Sequence, residues 1–69
     1  MLKLSDFHKM EDSGSTTLFY EGINHYFISE NDDLYSMMVE KIVDGEVKRD
    51  FCDYECLADA IGFIEEMER

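Results

Sequence analysis

The chain has 69 residues, with 17 Asp and Glu against 6 Lys and Arg and a net charge of −11. That length supports one domain, residues 1–69, because a second would have too little interior for its own core, and the charge argues against direct binding to nucleic acid or an anionic membrane. A hydrophobic share of 45% and an aromatic share of 13% exceed those of acidic disordered tails, so a folded acidic domain is expected.

Met1-Leu2-Lys3-Leu4-Ser5-Asp6 supplies one lysine and then an acid, without the apolar run of a signal peptide. No stretch of about 18 apolar residues follows, and Cys52 and Cys56 are too few for a secreted disulfide framework. A cytoplasmic protein is expected, and the chain reads as a complete small gene product. Ser5 to Glu11 fits a short helix capped by Ser5, with Phe7 and Met10 reaching the sheet; an edge strand at Leu2 and Leu4 is the competing assignment.

Ser13-Gly14-Ser15 separates this segment from the run Thr16 to Tyr20, which is β-branched and aromatic. Glu21-Gly22 then joins it to Ile23–Ile28 in a hairpin, and the polar stretch Ser29 to Asp33 forms the next break. A second hairpin runs from Leu34 to Cys52 around Asp44-Gly45, a pair that tolerates the positive φ angles of a tight turn. A two-residue turn there sets Met38 opposite Phe51 and Ile42 opposite Val47, but also Lys41 opposite Lys48. A three-residue turn bulged at Gly45 avoids that like-charge pair and is preferred. Met37-Met38-Val39 and Ile42-Val43 are apolar on both faces of their strand, a pattern that usually means cover on both sides.

From Asp53 the period becomes helical. Asp53 is a suitable N-cap, Leu57, Ile61 and Ile64 form an apolar stripe with Ala60 and Met67, and Glu55, Asp59, Gly62 and Glu66 face away. The expected fold is α+β: a four-stranded antiparallel meander, a C-terminal amphipathic helix of about four turns on one face, and a short N-terminal helix.

The chemistry-bearing side chains do not assemble into a catalytic or metal motif. Cys52 and Cys56 are four apart, not in the Cys-x-x-Cys spacing of redox and zinc sites, and are read as small core or junction residues. His25 is a lone strand histidine. The Ser5-Asp6-Phe7-His8 string lacks the convergence that a nucleophile, base and orienting acid need, and Glu30 to Asp33 lacks the glycine and glutamate of a calcium loop. No enzyme, cofactor or metal is expected.

The remaining signal is the carboxylates. Glu55, Asp59 and Glu66 are spaced as a row along the exposed side of the predicted helix, and the acidic excess costs stability through self-repulsion. The candidate partner-binding residues are Glu30, Asp32, Asp33, Asp50, Asp53, Glu55, Asp59, Glu65 and Glu66, presented to the Lys and Arg of a basic groove as phosphates are. Exposed tyrosines among Tyr20, Tyr26, Tyr35 and Tyr54 would supply anchoring area, although core packing is expected for most.

Short length, strong acidity, absent proline and a β-meander closed by an acidic helix resemble the small anti-CRISPR proteins of phages and mobile elements, in particular acidic inhibitors of type I surveillance complexes. The resemblance spans the chain in size, charge and layout, and the family shares no motif by which residue roles could be transferred. It implies a nucleic-acid-mimicking inhibitor in the host cytoplasm that occupies a basic DNA path on a Cas subunit and blocks target DNA binding. The competing expectation is a structural interaction module or small subunit that uses the apolar sheet face and whose acidity serves solubility. A monomer or weak homodimer is expected. The double-faced apolar strand is unexplained by a purely electrostatic decoy; a dimer, or the N-terminal segment packed behind the sheet, would account for it.

Overall fold

The computed structural model describes residues 2–69, apart from the side chain of Asp12. A single 3-10 turn at Leu4–Asp6 leads into five strands and a helix: β1 (His8–Asp12), β2 (Ser15–Glu21), β3 (His25–Asn31), β4 (Leu34–Val43), β5 (Glu46–Tyr54) and α1 (Leu57–Met67). The strands form one antiparallel sheet in chain order, and α1 lies on one of its faces. No described helix is long and apolar enough to cross a membrane.

The expected four strands are therefore five. The N-terminal segment is not a helix beyond its one turn, nor a strand at Leu2 and Leu4. Asp6 accepts a hydrogen bond from Lys3 N–H at 2.8 Å to close the turn, and His8–Asp12 pairs along β2. The cause lies at Ser13-Gly14, which is a hairpin turn and not a separator: both residues take positive φ, 52° and 83°, the combination whose twist matches two flanking strands. Once that turn forms, alternation puts His8 and Met10 on one face, beside Phe19 and Thr17.

Asp44 and Gly45 use the same device, with φ of 53° and 81°. The second hairpin accordingly has the two-residue register, with Glu40 opposite Arg49, Lys41 opposite Lys48, and Ile42 opposite Val47; the preferred bulge at Gly45 is absent. Diagonal pairing removes most of the objection to it, since Lys41 Nζ reaches Asp50 Oδ2 at 3.4 Å. Two other boundaries also shift. β3 starts at His25 and runs to Asn31, so only Asp32 and Asp33 make the next turn. β5 runs through Tyr54, so Asp53 stays in the sheet, Cys56 is the N-cap, and the helix is nearer three turns than four.

The core sits between the sheet and α1. Phe7, Tyr26, Ile28, Met37, Val39, Ala60 and Ile64 are buried there, ringed by Leu18, Tyr20, Tyr35, Tyr54, Leu57, Ile61, Phe63 and Met67. The helical stripe is as its spacing predicts, and burying Ile28, Met37 and Ile64 is worth roughly 1.5–3 kcal/mol each. All four tyrosines belong to this side. Burial, aided by its hydrogen bond to Glu68, pushes the Tyr26 hydroxyl up to about 12, and burial followed by the Cys52 thiol does the same for Tyr54.

Glu68, just past the last turn of α1, ties the helix to the β2–β3 turn. Its carboxylate accepts from Ile23 N–H at 2.7 Å, Asn24 N–H at 3.4 Å and the Tyr26 hydroxyl at 2.7 Å. Burial alone would raise its pKa, but these hydrogen bonds outweigh burial and leave the carboxyl below its ordinary value.

Candidate interaction surfaces

Two surfaces stand apart from the core. The first is an acidic end. The β3–β4 turn, the end of β5 and the start of α1 lie together, because Glu30 opposes Tyr35 and Tyr35 opposes Tyr54, and Leu57 and Glu30 line one shallow cavity. Glu30, Asp32, Asp33, Asp53, Glu55 and Asp59 therefore converge there, in segments 29–36 and 53–59 that contain neither Lys nor Arg. Among the described residues none of these six carboxylates joins an ion pair, whereas Glu11, Glu21, Glu40, Asp50 and Glu66 do. Asp53 accepts a hydrogen bond from the Ser36 hydroxyl at 3.0 Å.

The other three predicted partner-binding residues lie elsewhere. Asp50 is mid-strand and engaged by Lys41. Glu65 accepts from Leu2 N–H at 2.6 Å, a structural role, and Glu66 pairs with Arg69 at 3.3 Å. The expected row along the helix is not formed, because Glu55 precedes α1 and only Asp59 and Glu66 belong to it. Chain order hid the true arrangement: the β3–β4 turn and the β5–α1 junction, about twenty residues apart in sequence, are brought to one end by strand register.

The second surface is the sheet face opposite α1, which the described chain leaves uncovered. Register divides it into bands across β2 to β5. Thr17, Ser29, Ser36 and Asp53 make a hydroxyl-rich band; Phe19, Phe27, Met38 and Phe51 an apolar one; Glu21, His25, Glu40 and Arg49 a charged one; Ile42 and Val47 end the face. The Phe19 and Phe27 rings are 4.9 Å apart. Phe51 and Ile42 are 75% and 74% exposed. Met10, Phe27, Met38 and Phe51 border a broad depression of about 430 Å³. Cover on both sides of β4 was the expectation; α1 covers one side only, and the N-terminal segment packs on that same side through Phe7 against Tyr20.

No family model, curated protein or solved structure matches this chain.

The one exposed aromatic ring of the open face among the described residues is thus Phe51, beside the half-buried Phe19 and Phe27, while the tyrosines pack on the helix side. The signal was present in Leu18-Phe19-Tyr20 and Tyr26-Phe27-Ile28, which are apolar at consecutive positions and so must place a ring on each face. His25 lies in the charged band, with Nδ1 3.6 Å from Glu40 and Nε2 3.9 Å from Glu21. Cys52 and Cys56 are free and exposed, so the core reading fails for them; Cys56 is at the β5–α1 junction. Among the described residues no group of three His, Cys, Asp or Glu is placed to hold a metal.

Proposed function

We propose that the protein is an acidic inhibitor whose carboxylate end occupies a basic, nucleic-acid-binding groove on a partner protein. The observation that carries this reading is the convergence on one end of six carboxylates that, among the described residues, join no ion pair and have no Lys or Arg in their two segments. Such an end projects a field that steers a Lys- and Arg-lined surface toward it, as a phosphate backbone does. The resemblance in size, charge and layout to small anti-CRISPR proteins names the partner: a Cas subunit of a type I surveillance complex in the host cytoplasm, whose target DNA is then excluded. The apolar sheet face favours a second reading, an interaction module that docks through the exposed Phe51 and the half-buried Phe19, Phe27 and Met38 beside it, because an apolar patch that the described chain leaves uncovered marks a contact site.

A purified type I surveillance complex and duplex DNA separate the two. Under the first reading the protein displaces DNA, and binding weakens steeply between about 50 mM and about 500 mM salt. Replacing Glu30, Asp32, Asp33 and Glu55 by their amides lowers affinity by at least about tenfold, ~1.4 kcal/mol, while Glu66→Gln leaves it unchanged. Salt-independent binding that survives those substitutions and is lost in Phe51→Ser supports the second reading and rejects the first.

A further inference from the structure

β5 is the long free edge of the sheet. It spans nine residues against five for β1 at the other edge, pairs with β4 without a bulge, and is exposed from Glu46 to Asp53. A continuous edge of this length is a template for another strand. Its charge is low for this molecule: Glu46, Lys48, Arg49, Asp50 and Asp53 sum to −1 on a chain of charge −11.

The strand is also complementary to itself. Antiparallel pairing of two copies about a dyad at Arg49 opposes Lys48 to the partner's Asp50, and Val47 to the partner's Phe51, each twice. Both pairs keep their faces: Lys48 and Asp50 are on the helix side, Val47 and Phe51 on the open side. Among the described residues Lys48 has no ion pair and faces Lys41, so an acid from outside the chain relieves it; Asp50, 3.4 Å from Lys41, would then sit between two lysines. The two Arg49 meet at the dyad, each already held by its own Glu40 at 3.0 Å.

The same geometry answers the objection from net charge. The acidic end lies at the Tyr54 end of β5, five residues from Arg49, so an antiparallel pair sends the two acidic ends in opposite directions. At about 3.4 Å per residue they are roughly 34 Å apart, about four Debye lengths at physiological salt. Repulsion between these two ends is largely screened; the nearer like charges are Asp53 of each copy and the partner's Asp44 and Glu46, against which the two Lys48–Asp50 pairs at the dyad act.

We propose that β5 is a self-association edge: two copies of this chain join antiparallel about Arg49 into one continuous ten-stranded sheet. Sedimentation of the full chain over a concentration series should approach twice the 8.1 kDa chain mass. Asp50→Lys, which sets lysine against lysine across the dyad, should weaken the dimer at least tenfold with unchanged circular dichroism. The double exchange Lys48→Asp with Asp50→Lys, which restores opposite charges at unchanged net charge, should recover it. The register also opposes position 46 to the partner's Cys52, so Glu46→Cys in a Cys56→Ser background should give a covalent dimer with diamide, where Cys56→Ser alone gives none. A wild-type chain that stays at its single mass throughout overturns the proposal, as does a dimer indifferent to Asp50→Lys or one that cross-links equally without the thiol at position 46.

Discussion

Glu68 is the residue on which the most local order depends. A carboxylate there satisfies two turn N–H groups and a buried hydroxyl, none of which has a second side-chain acceptor among the contacts of this turn. Glu68→Gln keeps the shape but sets an amide NH2 among donors. It should cost about 1–2 kcal/mol at neutral pH in chemical denaturation, in the range of hydrogen bonds to charged groups with allowance for partial exposure. The pH dependence has a definite sign. Because the folded carboxyl lies below its ordinary value of 4.5, its contribution is complete above that value and is lost as pH falls through the lower folded one. The gap between wild type and Glu68→Gln should therefore close on acidification; a gap that widened would contradict the assignment. Tyr26 acts at the other limit: its pKa, raised from 10.0 to about 12, supplies stability below the ordinary value that is lost as pH climbs through the folded one.

Among the elements, β1 is the most weakly held, since it touches only β2 within the sheet and depends on a turn whose Gly14 has φ 83°. Gly14→Ala strains that turn by roughly 1 kcal/mol, and the penalty should be local: amide exchange in His8–Asp12 rises while that of β3 and β4 stays slow. Exchange rising equally throughout would mean that β1 is integral to one cooperative unit. What the sequence disclosed follows the same logic of local against distant information. The α1 stripe, the hairpin positions and the double-faced β4 could be read directly, because their signals lie within one segment. β1 could not, since its alternation is five residues long and only Phe19 and Thr17 across the hairpin give it meaning. The helix start was misplaced because Asp53 is a good cap by type, yet pairing with Ser36 holds it in the sheet. The acidic end depends on register between two distant segments, 29–36 and 53–59, and no spacing rule along the chain contains it.

For the molecule as a whole, charge is unevenly spread. Among the described residues six carboxylates crowd one end without counter-charge, whereas Lys9, Lys41, Arg49 and Arg69 are taken by Glu11, Asp50, Glu40 and Glu66. These ion pairs are exposed or, at Glu40 and Lys41, partly exposed and contribute little, so repulsion should dominate the response to salt. Thermal stability should rise with sodium chloride, with each kcal/mol of relief worth about 4–8 °C in a domain of this size. A fall in melting temperature would mean that the ion pairs outweigh the repulsion.

The hydrogen bond from Leu2 N–H to Glu65 has a practical consequence. It places Leu2 beside the last turn of α1, where Leu2, Glu65, Glu68 and Arg69 line one hollow, so both extremities of the described chain emerge at the pole remote from the clustered acids. A purification handle or surface tether attached at either extremity would leave the acids and the β5 margin unobstructed. A short peptide bridge between the two would suit circular permutation, with new ends opened in the Asp32-Asp33 turn.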